Sequence, residues 1–487
     1  MASTHTKRPL RFIIIGAGPA GLLAGVRLRE AGYDDFVIYE KGPRLGGTWR
    51  DNTYPGVACD VPSHLYCYSF APNPDWSRRF APGAEILAYL NDVAERFALI
   101  PRIRFGQEAA RCEYIDGRWR VEMKSGDWDS ADVVIAATGV THHPRIPDIP
   151  GRDSFAGAAF HSARWDHSAP LDERRVGVIG TGSTAVQIVA ALIERVRTLT
   201  LFQRTPQWLM PQENPSYSPE ERAHFRAHPE AVRHMRAEFA RGFTDNFSDA
   251  VIDAASPELK AIEDACAMHL ETQVRDRSLR EQLRPRYRAA CKRLIVSNDF
   301  YPAIQQPNAM LVTAPLECIE PAGVRTRDGR LHELDVLVYA TGFRTDRFVR
   351  PMHVVGRAGA SLDARWAQRP DAYLAVAVPQ FPNFFMLNGP NSPVGNFSLI
   401  EVAELQMTYV LQLVDLLNKG RREIEPRERA LAAFEADRVA AARRTVWATG
   451  CTSWYLDDRG VPASWPWTMA QFRHAMAAPD LSAYEIR

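Results

Sequence analysis

The stretch Phe12-Ile13-Ile14-Ile15-Gly16-Ala17-Gly18-Pro19-Ala20-Gly21 decides the fold of this 487-residue chain. The β-branched strand Arg11–Ile15 runs into three glycines spaced G-x-G-x-x-G, and helical sequence follows over Leu22–Ala31. Gly16 permits a tight turn, Gly18 lets the backbone approach a pyrophosphate, and Gly21 permits close helix–strand packing. A second strand, Phe36–Tyr39, places Glu40 where an acid can bond a ribose hydroxyl. The stretch therefore predicts a βαβ unit that binds a dinucleotide.

A second turn of the same kind, Gly180-Thr181-Gly182-Ser183-Thr184-Ala185, follows the buried strand Val176–Ile179. It ends in alanine where glycine is commoner, which is a tolerated variant. The next strand, Thr198–Phe202, leads to Arg204 instead of an acid. A guanidinium there favours a 2′-phosphate, which indicates NADPH over NADH. Two turns in one chain predict two dinucleotides that exchange electrons, as in a flavoprotein reduced by a nicotinamide.

Composition narrows the class of protein. Hydrophobic residues make up 46% and charged residues 24%, which is typical of a globular protein. Lys plus Arg (59) nearly cancels Asp plus Glu (58), so neither nucleic acid nor an anionic membrane is expected as the main partner. The apolar runs 12–26 and 176–193 are predicted to be strand–turn–helix segments, not a signal peptide or a membrane span. The sequence predicts a soluble, cytoplasmic protein.

The seven cysteines are an odd number, lie scattered along the chain and include no C-x-x-C pair. This pattern favours a reducing cytosol over a disulfide framework or a zinc site. No metal site is expected.

The predicted fold class is α/β, with two dinucleotide-binding (Rossmann-like) domains and a helical insertion. Residues 1–150 and 343–487 are predicted to form a discontinuous FAD-binding domain, 151–211 and 291–342 an NADP-binding domain, and 212–290 the insertion. The insertion is rich in Glu, Arg, His and Ala and lacks strand patterning. Other predicted elements are the strands Arg118–Met123, Asp132–Ala137, Met310–Val312 and Val336–Ala340, and a helix over Leu399–Leu417.

Two longer patterns lie between the glycine turns. The first is Gly47-x-Trp49-x₄-Tyr54-Pro55-Gly56-x₃-Asp60, and the second is Phe155-x-Gly157-x₃-His161-x₃-Trp165-Asp166. Taken singly, these residues could be packing aromatics, an ordinary turn and a linker histidine. Taken jointly with both turns, they resemble the two signatures of type I Baeyer–Villiger monooxygenases, relatives of the flavin-containing monooxygenases, over nearly the whole chain.

The resemblance implies FAD and NADPH as cofactors, and Arg293 and Asp60 as catalytic residues. Arg293 would lie beside the flavin, with Asp60 orienting it. The FAD contacts that it implies are Gly16, Gly18, Ala20, Gly21, Glu40, Gly47, Thr48, Trp49, Arg50, Asp51, Asp60, Tyr66, Ala109, Leu399 and Arg293. The NADP contacts that it implies are Gly180, Thr181, Gly182, Ser183, Thr184, Ala185, Gln187, Arg204, Thr205 and Lys292.

The function implied by the resemblance is insertion of one oxygen atom from O₂ next to a ketone carbonyl, through a peroxide on C4a of the flavin. His161 is expected to link the nucleotide domains and not to transfer protons. Trp454, Trp465 and Trp467 are predicted to be packing residues, although Trp454 also stands among the guesses for the substrate wall, with Phe243, Phe247 and Leu399. The family pattern differs at Arg50-Asp51 and at Gly389-Pro390-Asn391, which leaves the ketone open. The oligomeric state is open as well.

Three other functions remain as alternatives. A flavin-dependent N- or S-oxygenase shares both nucleotide turns, and the Lys292-Arg293 pair, Asp60 and the Asp after Trp165 favour ketone oxidation over it. A pyridine-nucleotide disulfide reductase shares the architecture but needs a closely spaced redox-active cysteine pair. A non-catalytic flavoprotein sensor is the third, and its test is NADPH-dependent oxygen uptake.

Overall fold

The computed structural model describes residues 9–395 and 397–487. Two five-stranded parallel sheets organise the chain. The first sheet has the order Phe384–Met386, Val133–Ala136, Phe12–Ile15, Phe36–Glu40, Ile103–Phe105. The second has the order Ala309–Val312, Thr198–Phe202, Arg175–Ile179, Val336–Tyr339, Ala158–His161. The mixed α/β fold predicted from the two turns is confirmed.

The central strands are apolar throughout because both of their faces are covered. All four residues of Phe12–Ile15 are buried, and so are all four of Val133–Ala136 and of Val336–Tyr339. Strands buried on both faces carry near-continuous hydrophobic runs instead of alternating patterns. In the part of the chain that the structure describes, no helix combines the length and apolarity needed to cross a bilayer.

The two helices predicted with bounds, Leu22–Ala31 and Leu399–Leu417, are observed as Pro19–Glu30 and Leu399–Asn418, whereas helices such as Gly83–Arg96 were not predicted. The first begins at Pro19, earlier than predicted, because proline suits the first helical position. The helices are Pro19–Glu30, Thr48–Asp51, Gly83–Arg96, Ser183–Leu192, Pro219–Ala227, Pro229–Phe243, Pro257–Gln273, Arg277–Leu283, Phe300–Ile304, Leu362–Arg365, Leu399–Asn418, Glu428–Ala442 and Met469–Ala477, with a π-helical turn at Thr244–Ser248.

The predicted helical insertion is present, and capping residues define its helices. Ser218 begins the first with a capping box to Glu221, and Ser256 caps the helix Pro257–Gln273. The chain enters and leaves the insertion through two adjacent short strands, because Leu209–Met210 pairs in parallel with Ile295–Val296. This pairing fixes the segment that carries Lys292 and Arg293 at the base of the insertion.

Smaller sheets were missed by the sequence analysis, apart from the strand Arg118–Met123. That strand belongs to a four-stranded sheet with His353–Val355, Ala109–Ile115 and Trp128–Ala131. A three-stranded antiparallel sheet comprises Leu316–Glu320, Gly323–Thr326 and Leu331–Glu333, and Ile424–Pro426 pairs with Tyr484–Ile486. These strands are short and partly exposed, so their hydrophobic pattern is weak.

Candidate active site

The first glycine turn is built so tightly that side chains would collide with backbone. Gly16 has a φ of +104°, and a Cβ on it would lie 2.6 Å from the carbonyl oxygen of Ala137. A Cβ on Gly21 would lie 1.8 Å from the carbonyl oxygen of Gly16. Gly18 meets Gly47, whose Cβ would lie 3.1 Å from the Cα of Gly18. Gly16 and Gly21 therefore have the steric reasons that the sequence predicts. A Cβ on Gly18 would lie 3.7 Å from the Cα of Gly47, an ordinary contact, so the role of Gly18 towards a pyrophosphate stays a prediction.

One cleft beside this turn collects most of the residues predicted to contact FAD. It holds about 1290 Å³ of empty space, including its open mouth. The predicted residues that line it are Gly16, Gly18, Ala20, Glu40, Gly47, Thr48, Trp49, Arg50, Asp51, Tyr66, Ala109 and Leu399. Gly21, Asp60 and Arg293 are not part of this lining. The cleft also includes residues that the motifs did not mark, among them Lys41, Gln107, Asn388, Val394 and the segments 137–142 and 349–352.

The segment 137–142 could have been found from the sequence. It follows the buried strand Val133–Ala136, which lies beside Phe12–Ile15 in the first sheet. Ligands bind where parallel strands end at their carboxyl edge, so the residues after this strand face the same cleft. His142 accepts a hydrogen bond from Lys41 at 2.9 Å, and burial lowers the pKa of His142 to about 3.

Glu40 is buried, and its carboxylate is satisfied from several sides. One oxygen accepts the backbone N–H of Ala17 at 2.8 Å. The other accepts from the N–H of Gly42 and from Arg50, each at 2.7 Å. Arg50 also pairs with Asp51 at 2.8 Å, and its own pKa is raised. The departure from the family pattern at Arg50-Asp51 thus supplies a counter-charge to the acid at the rim of the cleft.

Trp49 and Tyr66 form one wall of the cleft. The indole N–H of Trp49 donates to the hydroxyl of Tyr66 at 3.3 Å, and the rings meet edge to face at 5.6 Å. Burial raises the pKa of Tyr66, while the positive charge of Arg293 acts in the opposite direction. Tyr66 therefore lies within electrostatic range of Arg293.

Arg293 and Asp60, 233 residues apart in sequence, are in direct contact. Nε of Arg293 donates to Oδ2 of Asp60 at 3.0 Å, and Nη2 donates to the same oxygen at 2.5 Å. The pKa of Arg293 is raised, chiefly by the charge of Asp60. A third of the Arg293 side chain stays accessible, against 24% for Asp60. The structure thus brings together the two residues that the sequence analysis nominated as catalytic.

Two cations, Arg204 and Lys292, lie near the second turn. Gly180 has a φ of +117°, and Thr181 donates its hydroxyl to the carbonyl oxygen of Thr205 at 2.7 Å. Lys292 lies over the ring of Tyr287 at 4.9 Å, and its pKa is lowered by burial and by the charge of Arg204. Among residues 9–395 and 397–487, neither Arg204 nor Lys292 forms an ion pair with a carboxylate. Two neighbouring cations without a counter-charge favour an anionic ligand.

Gln187 has a different environment from the one predicted. Its side-chain oxygen accepts from the Tyr54 hydroxyl at 2.8 Å, and its amide donates to the carbonyl oxygen of Ala58 at 3.1 Å. A Cβ on Gly56 would lie 2.7 Å from the carbonyl oxygen of Gln187. The Tyr54-Pro55-Gly56 part of the first pattern is therefore a contact surface between the two nucleotide-binding units.

The second pattern also has structural contacts. His161 ends an edge strand, accepts the N–H of Ala163 at 3.1 Å on Nδ1, and donates from Nε2 to the carbonyl oxygen of Gly342 at 3.0 Å. Burial lowers its pKa to about 4. A neutral histidine tied to the connecting segment agrees with a linking role. Asp166 is exposed and accepts from the backbone and hydroxyl of Ser168 at 2.9 and 2.6 Å, so it closes a local turn.

The expectation of no disulfide is wrong at one pair. Cys291 and Cys451 are disulfide-bonded across 160 residues, with their Cα atoms 6.2 Å apart. Both are buried in an apolar cluster that also contains Trp447 and Phe247. Spacing in sequence could not reveal the pair, because only the fold brings the base of the insertion against the C-terminal segment. Cys59, Cys67, Cys112, Cys266 and Cys318 are free.

The three tryptophans near the chain end differ from one another. Trp465 is buried in the core of the first unit, and Trp467 packs against the same cluster, as predicted. Trp454 is 41% exposed and stacks on Tyr455 with ring centroids 4.0 Å apart. The packing prediction therefore holds only in part for Trp454, because 41% of its surface is exposed.

The two glycine turns, each on its own parallel sheet, define a class of oxidoreductases with two dinucleotide sites. The family model described as pyridine nucleotide-disulphide oxidoreductase matches residues 13–245. A Baeyer-Villiger monooxygenase of Streptomyces coelicolor is 41% identical, covering 98% of this chain and 92% of the relative. An uncharacterized monooxygenase of Mycobacterium tuberculosis is 46% identical, covering 97% and 95%.

Solved structures agree with these relatives. Cyclohexanone monooxygenase from Rhodococcus sp. Phi1, bound to NADP⁺, has a TM-score of 0.87 and 29% identity, covering 98% of this chain and 99% of that one. OTEMO in complex with FAD and NADP has a TM-score of 0.88 and 27% identity, covering 99% and 100%. The chain belongs to the Baeyer–Villiger monooxygenase family and is an oxidoreductase.

Proposed function

We propose that this protein is an FAD-containing, NADPH- and O₂-dependent monooxygenase that converts a ketone to an ester or lactone. The observation that carries the proposal is the direct contact of Arg293 with Asp60, within electrostatic range of Tyr66 in the cleft wall. Relatives named Baeyer-Villiger monooxygenase, and structural neighbours solved with FAD and NADP, support the same reaction and the same cofactors.

The residues of the first cleft suit FAD. A glycine turn leaves room for a pyrophosphate against backbone N–H groups, and the amino end of Pro19–Glu30 directs its dipole there. Glu40 lies at the cleft as a charged acceptor. When bound, FAD takes up two electrons from NADPH and then activates O₂. Trp49 and Tyr66 form an apolar wall that keeps water away from the reacting end.

Arg204 and Lys292 suit the 2′-phosphate of NADPH, since both are cations without a carboxylate partner in the described part of the chain. The helix Ser183–Leu192 begins at the second turn, and its amino end favours a pyrophosphate. Gln187 contributes to the joint between the units through Tyr54, so its effect on NADP would be indirect.

Arg293 is the proposed catalytic residue. Negative charge develops on oxygen atoms beside the flavin and on the ketone oxygen, and a guanidinium remains protonated even in a dry site. Asp60 is a positioning residue, because two hydrogen bonds to one carboxylate oxygen restrict rotation of the guanidinium. The accessible third of Arg293 is the part left to meet the reactants.

The test is Arg293→Ala in the FAD-loaded protein. NADPH should still reduce the flavin, but ester formation should fall by about 10²–10³-fold, as when one oxyanion donor is removed. Gas chromatography of ketone products and flavin absorbance measure the two steps separately. Arg325→Ala is the matched control, because Arg325 binds Glu320 with similar geometry on a different sheet. Ester formation at the normal rate in the Arg293 variant would exclude this role.

An N- or S-oxygenase remains the second candidate, because both cofactor sites are compatible with it. Incubation of the protein with a simple ketone and, separately, with a sulfide distinguishes the two reactions. A panel of linear, cyclic, aryl and steroidal ketones would then identify the ketone substrate. O₂ is the second substrate of the proposed reaction. Of the guessed wall residues, Leu399 lines the cleft, and Phe247 packs with the Cys291 cluster.

Two further assignments belong to the proposal. The first sheet, with strands from both ends of the chain, supports a discontinuous FAD domain of residues 1–150 and 343–487. The second sheet supports an NADP domain of 151–211 and 291–342, with 212–290 inserted. A cytoplasmic location is also part of the proposal: the five free cysteines suit a reducing compartment, whereas the Cys291–Cys451 disulfide is unusual there.

A further inference from the structure

Tyr455 is a buried tyrosine that neither the motifs nor the proposed reaction uses. Its ring stacks on Trp454 at 4.0 Å and packs against Trp447 at 5.2 Å. On the side of its hydroxyl it meets Gly395, where a Cβ would lie 1.7 Å from the hydroxyl oxygen. Gly395 has a φ of +90° and follows Val394, which lines the FAD cleft. The surroundings therefore fix the hydroxyl at the edge of that cleft.

Tyr455 lies within electrostatic range of Arg293. Burial raises the pKa of Tyr455, whereas the positive charge of Arg293 acts in the opposite direction. Tyr455 in turn contributes to the raised pKa of Arg293, after Asp60. Arg293 thus has the carboxylate of Asp60 as a hydrogen-bond partner and the phenol of Tyr455, from the C-terminal segment, nearby.

A covalent bond holds the two segments together. Cys291 lies two residues before Arg293, Cys451 lies four residues before Tyr455, and the two cysteines are disulfide-bonded. Both are buried in one apolar cluster with Tyr455 itself. Cluster and disulfide therefore keep Tyr455 within reach of Arg293, at the base of the insertion.

We propose that Tyr455 is a positioning residue for Arg293, and that the Cys291–Cys451 disulfide maintains this contact. The inference rests on the proposed function. Asp60 binds Nε and Nη2, and those bonds leave donors of the guanidinium unused. In this proposal one of these donors binds the Tyr455 hydroxyl, which fixes the direction of the donors that remain for the reacting oxygens.

The experiment compares Tyr455→Phe with wild type, both loaded with FAD. Flavin reduction by NADPH should stay within about twofold. Ester formed per NADPH consumed should fall on the order of tenfold, the effect of one lost hydrogen bond to a charged group, while hydrogen peroxide rises. Sulfoxide formed per NADPH should not change, because sulfide oxidation develops no carbonyl oxyanion. Tyr301→Phe is the control, since Tyr301 is equally buried and packs beside His269 in another part of the molecule.

Cys451→Ser tests the covalent contact without touching the phenol. It should lower the ester yield per NADPH in the same direction as Tyr455→Phe but less, again with flavin reduction retained. An unchanged ester yield in Tyr455→Phe overturns the proposal. Equal losses of flavin reduction, ester and sulfoxide also overturn it, because they indicate a merely structural role. Failure of the proposed function looks different: wild type itself would make no ester from any ketone.

Discussion

The two glycine turns follow the same backbone path but are completed in different ways. In the first, Gly21 packs so close to Gly16 that a Cβ would lie 1.8 Å from a carbonyl oxygen. In the second, Ala185 occupies the equivalent position, carries a Cβ and is fully buried. The first helix is therefore seated more tightly on its strand than the second.

The charged side chains beside the two turns also differ. At the first turn Glu40 is buried and is bonded to Ala17, Gly42 and Arg50, so its charge is compensated within the protein. At the second turn Arg204 is exposed, and it lowers the pKa of Lys292. At the first turn the charge of Glu40 is therefore balanced by other groups of the protein. At the second turn the positive charges of Arg204 and Lys292 remain available for an anionic ligand that can bind and leave.

The largest expected effect comes from Gly21→Ala. Overpacking costs about 1–3 kcal/mol when side chains can yield, and here the neighbour is a backbone carbonyl, so the loss should exceed that range. We expect little FAD-loaded protein. Flavin content and thermal unfolding measure the effect. Ala185→Gly is the reciprocal change and should cost only about 1 kcal/mol of stability, the propensity difference in a helix. Equal effects of the two changes would contradict the steric comparison.

Arg204→Ala should have the next largest effect. Loss of hydrogen bonds between a guanidinium and a phosphate, at about 1.5–3 kcal/mol, should raise the KM for NADPH about 10–100-fold and leave that for NADH nearly unchanged. Steady-state kinetics with both nucleotides measure it. Arg197→Ala is the matched control, because Arg197 precedes the opposite end of the strand Thr198–Phe202. A similar loss for NADH would show that Arg204 does not recognise the 2′-phosphate.

The smallest effect is a pH dependence at the second turn. The pKa of Lys292 is lowered, so Lys292 loses its proton at a lower pH than an ordinary lysine. Affinity for NADP⁺ should therefore decline as the pH rises through that lowered pKa. In Arg204→Ala one cause of the lowering is gone, so the decline should move to higher pH. Calorimetric titrations with NADP⁺ at pH values from neutral upward measure this dependence. A decline at the same pH in wild type and in Arg204→Ala would refute the effect of Arg204 on the pKa of Lys292.

Sequence patterns predicted the elements of the fold that depend on residues close together in the chain. Both turns, the buried strands beside them and the helical insertion follow from glycine spacing, hydrophobic patterning and composition. Short strands such as Trp128–Ala131 were missed, because their pattern is fixed by neighbours in the sheet. Arg293 was nominated only through the family resemblance; among 59 Lys and Arg residues no local signal distinguishes it.

The sequence alone determined the chemistry that neighbouring residues can carry: two pyrophosphate turns, an acid after one strand and a base after another. Only the tertiary structure decided which distant groups meet, namely Arg293 with Asp60, Tyr54 with Gln187, and Cys291 with Cys451. The physical reason is that turns and strands depend on backbone sterics over a few residues. Contacts between distant residues depend on how whole sheets and helices pack, which no short pattern records.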